Sequence, residues 1–338
     1  MKKNLVVAFL VSICGFQAAD EAALKKYHFS EPHMGTTVSL TLFAKDEATA
    51  TKAAQAAFAR VAELDGIMSD YKPASELMQL CKKAGGPPVP VSKDLFTVLE
   101  YAQEVSRKSD GALDVTVGPI VRLWRKARRT RELPSAEELK RALALVGYEK
   151  IRLDPQRRTV QLLVMGMLLD LGAIAKGYAT DAALEVLRRH GIRQALVAAG
   201  GDIRVGDAPP DAKGWKIGIA PLKNPAAPPE HFLLLVNAGV STAGDAEQFI
   251  EIGGTRYSHI VDPKTGMGLV GRRSATVIAP NDTLADALDT ALCVMGPDRG
   301  LKLIESMKET AALYVFEEKG RVITRPSNRL ARFLMRER

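Results

Sequence analysis

Asp170-Leu171-Gly172-Ala173-Ile174-Ala175-Lys176-Gly177 places an acid, a run of small residues and a lysine on a loop that opens into a helix. Upstream, residues 159–163 read as a strand. Downstream, the pattern over 177–190 is helical and stops at Gly191, and 195–198 reads as a strand again. Farther out, Phe58, Val61, Leu64 and Met68 recur at helical spacing within 46–68, and Ser92 is placed to cap a helix whose Leu95, Val98, Leu99, Ala102 and Val105 form one stripe. A fourth helix is expected to start after Asn281-Asp282 and run to about Met295, before Gly296. Further strands are expected at 37–43, 215–219, 232–236, 274–279 and 311–315. Helices and strands do not alternate strictly, which predicts an α+β fold and argues against a doubly wound sheet. Proline-rich stretches at 87–90, 209–210 and 221–229 read as surface loops, and no internal repeat is present.

The chain has 338 residues, 46% of them hydrophobic, enough for a substantial core. Lys and Arg number 47 against 39 Asp and Glu, a net charge of +8. Part of the excess lies in Arg122, Arg125, Lys126, Arg128, Arg129 and Arg131, and part in Arg325, Arg329, Arg332, Arg336 and Arg338. Such runs are solvated faces or surfaces for anionic lipid or an acidic partner. They lack the interleaved aromatics and motifs of nucleic-acid binding, so no nucleic-acid partner is expected.

Lys2-Lys3 followed by an apolar run from Leu5 to Cys14 has the layout of a secretory leader, too short to span a bilayer as a mature helix. Residues 1–19 are therefore read as a signal peptide and 20–338 as the mature domain. Two exits are open: lipid modification at Cys14, although Ile13 precedes it, or cleavage at Ala18-Ala19, although Phe16 and Gln17 sit where a small residue is usual. Either makes the protein periplasmic, the first with an inner-membrane anchor. Cys81 and Cys293 remain in the mature chain, with no zinc-type spacing.

Three segments carry chemistry. At 170–177, glycines let a phosphate approach the backbone, the helix N-terminus offers N–H groups, and Lys176 supplies positive charge. Asp286, Asp289 and Thr290 share roughly one helix face, a set of hard oxygen donors suited to magnesium. Tyr257-Ser258-His259-Ile260-Val261-Asp262-Pro263-Lys264-Thr265-Gly266 is a strand end followed by a polar turn, whose His259 could move protons or bond a phosphate. Gly200-Gly201-Asp202 is a weak dinucleotide signal, because no complete G-x-G-x-x-G accompanies it.

These segments follow Met34-Gly35-Thr36, Ser69-Asp70-Tyr71 and Gly111-Ala112-Leu113-Asp114-Val115-Thr116, and the series ends in Ala285-Asp286-Ala287-Leu288-Asp289-Thr290. In that order, over about residues 30–300, the series resembles the ApbE family of FAD:protein FMN transferases. The resemblance implies an α+β fold related to the T-fold, in a single two-lobed domain. It also implies an FAD site lined by Met34, Tyr71, Ala112, Leu113, Asp114, Asp170, Lys176, His259 and Ile260. The Ala173 carbonyl, Asp286, Asp289 and the Thr290 hydroxyl would surround Mg2+. The implied partners are FAD, as substrate, and acceptor flavoproteins such as subunits of sodium-pumping quinone reductase or Rnf-type complexes.

The implied reaction moves FMN from FAD to a threonine or serine hydroxyl and releases AMP. Lys176 would assist at the phosphates, and His259 and Asp262 are both candidates for the base. Two other readings use the same pocket: a magnesium-dependent FAD pyrophosphatase giving FMN and AMP, and a non-enzymatic flavin-binding protein. This chain departs from the family in having Thr242-Ala243-Gly244-Asp245-Ala246 where members often read Thr-Ser-Gly-Asp-Tyr.

Overall fold

The computed structural model describes residues 23–335 apart from 225, 246 and 247. The expected leader with Cys14, as well as Ala246, Arg336 and Arg338, lies outside the described residues. The chain opens with β1 (Lys25–His33), β2 (Thr36–Ala44), α1 (Glu47–Met68), α2 (Glu76–Lys82), β3 (Val89–Pro90) and α3 (Lys93–Lys108). There follow α4 (Gly118–Thr130), α5 (Ala136–Leu143), β4 (Ile151–Asp154), β5 (Thr159–Leu162), α6 (Ala175–Arg189), β6 (Ala195–Ala199) and β7 (Asp202–Val205). A strand-rich stretch comes next: β8 (Trp215–Ile219), β9 (His231–Leu235), β10 (Gly239–Gly244), β11 (Phe249–Ile252), β12 (Thr255–Val261), β13 (Gly268–Val270) and β14 (Arg273–Ala279). The chain closes with α7 (Asp282–Ser306), β15 (Ala311–Glu318) and β16 (Arg321–Pro326).

Eight strands form one antiparallel sheet in the order β1-β2-β6-β7-β10-β14-β15-β16. Side-chain alternation gives it two unlike faces. On β14 and β15, Ala275, Val277, Ala312 and Tyr314 join the main core, where α1, α6 and α7 pack, whereas Ile278, Ala311 and Leu313 face the other way. The β8–β9 hairpin closes that second face with Trp215, Ile217, Leu233 and Leu235. A third cluster joins α4 to the small sheet β11-β12-β13 through Ile120, Trp124, Ile250 and Val261. The fold is α+β, as expected.

The caps fall where the side chains dictate. Asp46 accepts from Thr49 N at 2.7 Å, Ser92 from Leu95 N at 3.2 Å, and Asn281 from Leu284 N at 2.9 Å. The helix that starts after Asn281 does stop at Gly296 as expected, and what lies beyond is a second helical segment across a kink. Gly296 takes φ 74°, and the chain resumes helix at Pro297, whose fixed φ and missing N–H suit a first helical turn. Cys81 and Cys293 are buried and unpaired, and burial raises both thiols above their ordinary pKa. No helix among the described residues is long and apolar enough to cross a membrane.

Candidate active site

α6 and α7 run against each other on the main core, and their contact brings the two distant motifs together. Gly177, in the first turn of α6, donates its N–H to Asp286 Oδ2 on α7 at 3.0 Å. Lys176 Nζ hydrogen-bonds Asp202 Oδ2 and lies 3.5 Å from Asp286 Oδ1. Asp202 begins β7, paired in register with Ser241 of β10. Ser241 Oγ is 2.6 Å from Asp202 Oδ1 and 2.5 Å from Asp289 Oδ2. One serine hydroxyl has a single proton to donate, so it serves one carboxylate and meets the other as an acceptor or at close range.

Asp202, Asp286 and Asp289 can each place an oxygen within 4.8 Å of the others, and all three are at most 2% exposed. Burial, then the neighbouring charge of Asp202, pushes the Asp286 carboxyl up to about 7. Burial and the Asp286 charge raise Asp289 in the same direction. Burial alone would lower the Lys176 ammonium, but the charges of Asp286 and Asp202 outweigh it and hold Lys176 protonated. One ammonium does not balance three carboxylates, and Asp289 Oδ1 is buried with no hydrogen-bond partner. An orphaned oxygen in an anionic cluster fits a hard divalent cation.

Asp202 and Ser241 are the residues that sequence reasoning did not assign. Only Asp202 had a signal, the Gly200-Gly201-Asp202 turn, which brings a carboxylate to the start of β7. Thr290 lies one turn beyond Asp286 on α7, half-buried, and Ala173 lies in the turn just before α6. The expectation of free N–H groups at that turn is met only in part: Ala175 N bonds Leu171 O at 2.8 Å and Gly177 N is taken by Asp286.

Tyr71 and Asp170 meet through Arg125 of α4, whose guanidinium lies 4.1 Å from the Tyr71 ring centroid and donates to Asp170 Oδ2 at 3.1 Å. Asp170 N also bonds Val115 O at 2.8 Å, tying this group to the 111–116 segment. Within that segment the side chains of Ala112 and Leu113 are buried. The Asp114 carboxylate is committed to the chain itself, accepting from Thr116 N, Thr116 Oγ1 and Tyr148 N at 2.6–2.8 Å. Met34, at φ 50° in the β1–β2 turn, is half-buried against the main core, and Ile260 is buried in it.

His259 is reachable by solvent on β12. Its Nδ1 lies 3.1 Å from the Gln248 carbonyl, which can only accept, so Nδ1 carries the proton and Nε2 keeps its lone pair. Crowding by surrounding protein, with the charges of Arg128 and Lys176, lowers the imidazole below its ordinary pKa. Asp262 instead builds the turn: its Oδ1 accepts from Lys264 N at 2.8 Å, and Trp124 Nε1 clamps the same turn at Gly266 O, 2.8 Å away.

The family model described as the ApbE family matches residues 34–314. The chain is 33% identical over 324 residues to the FAD:protein FMN transferase of Haemophilus influenzae, covering 93% of each chain. It is 32% identical over 310 residues to that of Vibrio cholerae, covering 90% of this chain and 91% of the other. The structure is similar to the flavin transferase ApbE from Vibrio cholerae with TM-score 0.82, 30% identity and coverage of 92% of this chain and 99% of that one.

Proposed function

This chain belongs to the ApbE family and is an FAD:protein FMN transferase, and from that premise we propose how its own residues carry out the transfer. The observation that carries the reading is the buried Asp202, Asp286 and Asp289 cluster, which pairs Lys176 through Asp202 and Asp286 and leaves Asp289 Oδ1 without a partner. Asp286 and Asp289, with the Ala173 carbonyl and the Thr290 hydroxyl, would hold Mg2+. When bound, it would supply charge neutralisation at the FAD pyrophosphate, the main requirement in displacement at an anionic, kinetically inert phosphorus.

Lys176 adds a fixed positive charge at the same place, and Tyr71 and Asp170 hold the flavin nucleotide from the α4 side. An acceptor threonine or serine hydroxyl attacks the phosphorus on the riboflavin side of the anhydride. A new ester bond forms from the acceptor Oγ to phosphorus, the bond to the bridging oxygen breaks, and AMP leaves with that oxygen. The hydroxyl proton passes to His259 Nε2, a neutral imidazole nitrogen with a free lone pair. His259 is preferred over Asp262 because the Asp262 carboxylate already builds its own turn.

The charged leader at Lys2-Lys3 and the apolar run to Cys14 support action in the periplasm, with lipid attachment at Cys14 as one route to the inner membrane. Acceptors of the quinone-reductase or Rnf type fit that location.

The site is tested by AMP release from FAD in the presence of an acceptor. Asp286→Ala is expected to abolish release and Thr290→Val to reduce it, with both proteins folded and the wild type inactive after chelation. Unchanged release in both variants, still dependent on magnesium, would place the metal elsewhere.

A further inference from the structure

We propose that Arg125 is a positioning residue that fixes Tyr71 and Asp170 as one flavin-binding unit. The inference rests on the reading that Tyr71 and Asp170 line the FAD site. Two segments distant in the chain, 70–71 and the turn at Asp170, converge on this one guanidinium of α4. Nη1 hydrogen-bonds Asp70 Oδ2, Nη2 donates to Asp170 Oδ2 at 3.1 Å, and Cζ lies over the Tyr71 ring, 4.1 Å from its centroid. Residues 70–71 belong to the loop between α1 and α2, and Asp170 to the turn before α6, so nothing in the local chain brings them together.

Tyr71 needs such a support. The residue is 74% exposed, and its backbone N–H donates to Ser69 Oγ at 3.3 Å, a bond that does not orient the ring. A ring so little packed has no reason to hold one orientation except the cation against it. The guanidinium covers one face and leaves the other for a flat aromatic ligand, and both ring systems of FAD qualify.

Asp70 and Asp170 need it as well. Burial and then the Asp70 charge raise the Asp170 carboxyl, and Arg125 is the cation that opposes this. Without it, two carboxylates would stand unneutralised against each other beside an anionic nucleotide. Only a planar, forked cation can stack on a ring and bond two carboxylates together, so lysine at this position should not substitute.

The test is FAD binding to the full chain in the presence of magnesium, measured by calorimetry, for Arg125→Ala, Arg125→Lys, Tyr71→Leu and the Tyr71→Leu/Arg125→Ala double variant. Arg125→Ala is expected to weaken FAD about tenfold, combining one stacking contact and one charge-assisted bond. On the Tyr71→Leu background the same change should cost only about threefold, because part of its action passes through the ring. Arg125→Lys, which keeps the charge and is expected to melt within a few degrees of wild type, should still lose about threefold. The KM for FAD should rise while kcat holds.

A purely structural arginine would lower the melting temperature without this coupling. Wild-type FAD affinity in Arg125→Lys, or an undiminished loss on the Tyr71→Leu background, would overturn the proposal. Unchanged FAD binding in Tyr71→Leu would remove Tyr71 from the site, and the proposal with it.

Discussion

Gly177 N–H and Asp286 Oδ2 are 3.0 Å apart although 109 residues separate them in the chain. The bond ties the first turn of α6 to the face of α7 that presents the carboxylates. It requires a residue without a side chain, because a Cβ on Gly177 would lie 2.3 Å from Asp282 O and 2.9 Å from Asp286 Cβ. Gly177→Ala is therefore expected to lose about 2–3 kcal/mol of stability through forced separation of the helices. It should also lose most of its transfer activity, because Asp286 moves. Denaturant unfolding and AMP release check both, and wild-type values in the two assays would show that the helices tolerate the methyl group.

The carboxylate cluster sets a pH dependence whose sign follows from its raised pKa values. In the metal-free protein Asp286 titrates near 7, against 3.8 for an ordinary aspartate. Between these limits the folded state holds a proton that the unfolded state has lost, so this group's contribution to stability falls as pH rises through the window. Asp289 acts in the same direction. Added magnesium should therefore raise the melting temperature by several degrees at pH 8 and much less at pH 5.5, where protons compete for the same oxygens. Equal magnesium effects at both pH values would contradict the assignment.

His259 predicts the acidic limb of the rate profile. A base with a depressed pKa stays unprotonated to lower pH, so kcat/KM for the acceptor should begin to fall only below the ordinary histidine value of 6.5. His259→Ala should reduce kcat by about a hundredfold or more, the usual contribution of a positioned base, while FAD-site occupancy stays measurable by flavin fluorescence. An acidic limb unchanged in His259→Ala would assign the base to another group.

Much of the fold was legible because its signals are local. Ser92 announces its helix by capping chemistry and Phe58, Val61, Leu64 and Met68 announce theirs by spacing, while the strands at 215–219 and 274–279 stand out by their β-rich composition. α4 was hidden beneath its arginines: Ile120, Trp124 and Ala127 are its buried stripe, but they are few among the charges. β10 was missed because Gly239-Val240-Ser241-Thr242-Ala243-Gly244 has small side chains, and its strand state comes from pairing with β7 and β14. In the site, Lys176, Asp286 and Asp289 could be read from their motifs, which lie on single turns of helix. Asp202 carried only the weak Gly200-Gly201-Asp202 signal, and Ser241 and Arg125 none, because each meets its partners only when strands or helices distant in sequence pack together.

Transfer of FMN to a protein hydroxyl is decided by the intact mass of an acceptor subunit incubated with this protein, FAD and magnesium. AMP release is expected to be slow without acceptor and faster with it, with an added FMN mass on one threonine that disappears when that threonine is replaced by alanine. Rapid magnesium-dependent conversion of FAD to free FMN and AMP without acceptor, leaving no flavin mass on any candidate partner, would contradict transfer and make water the nucleophile.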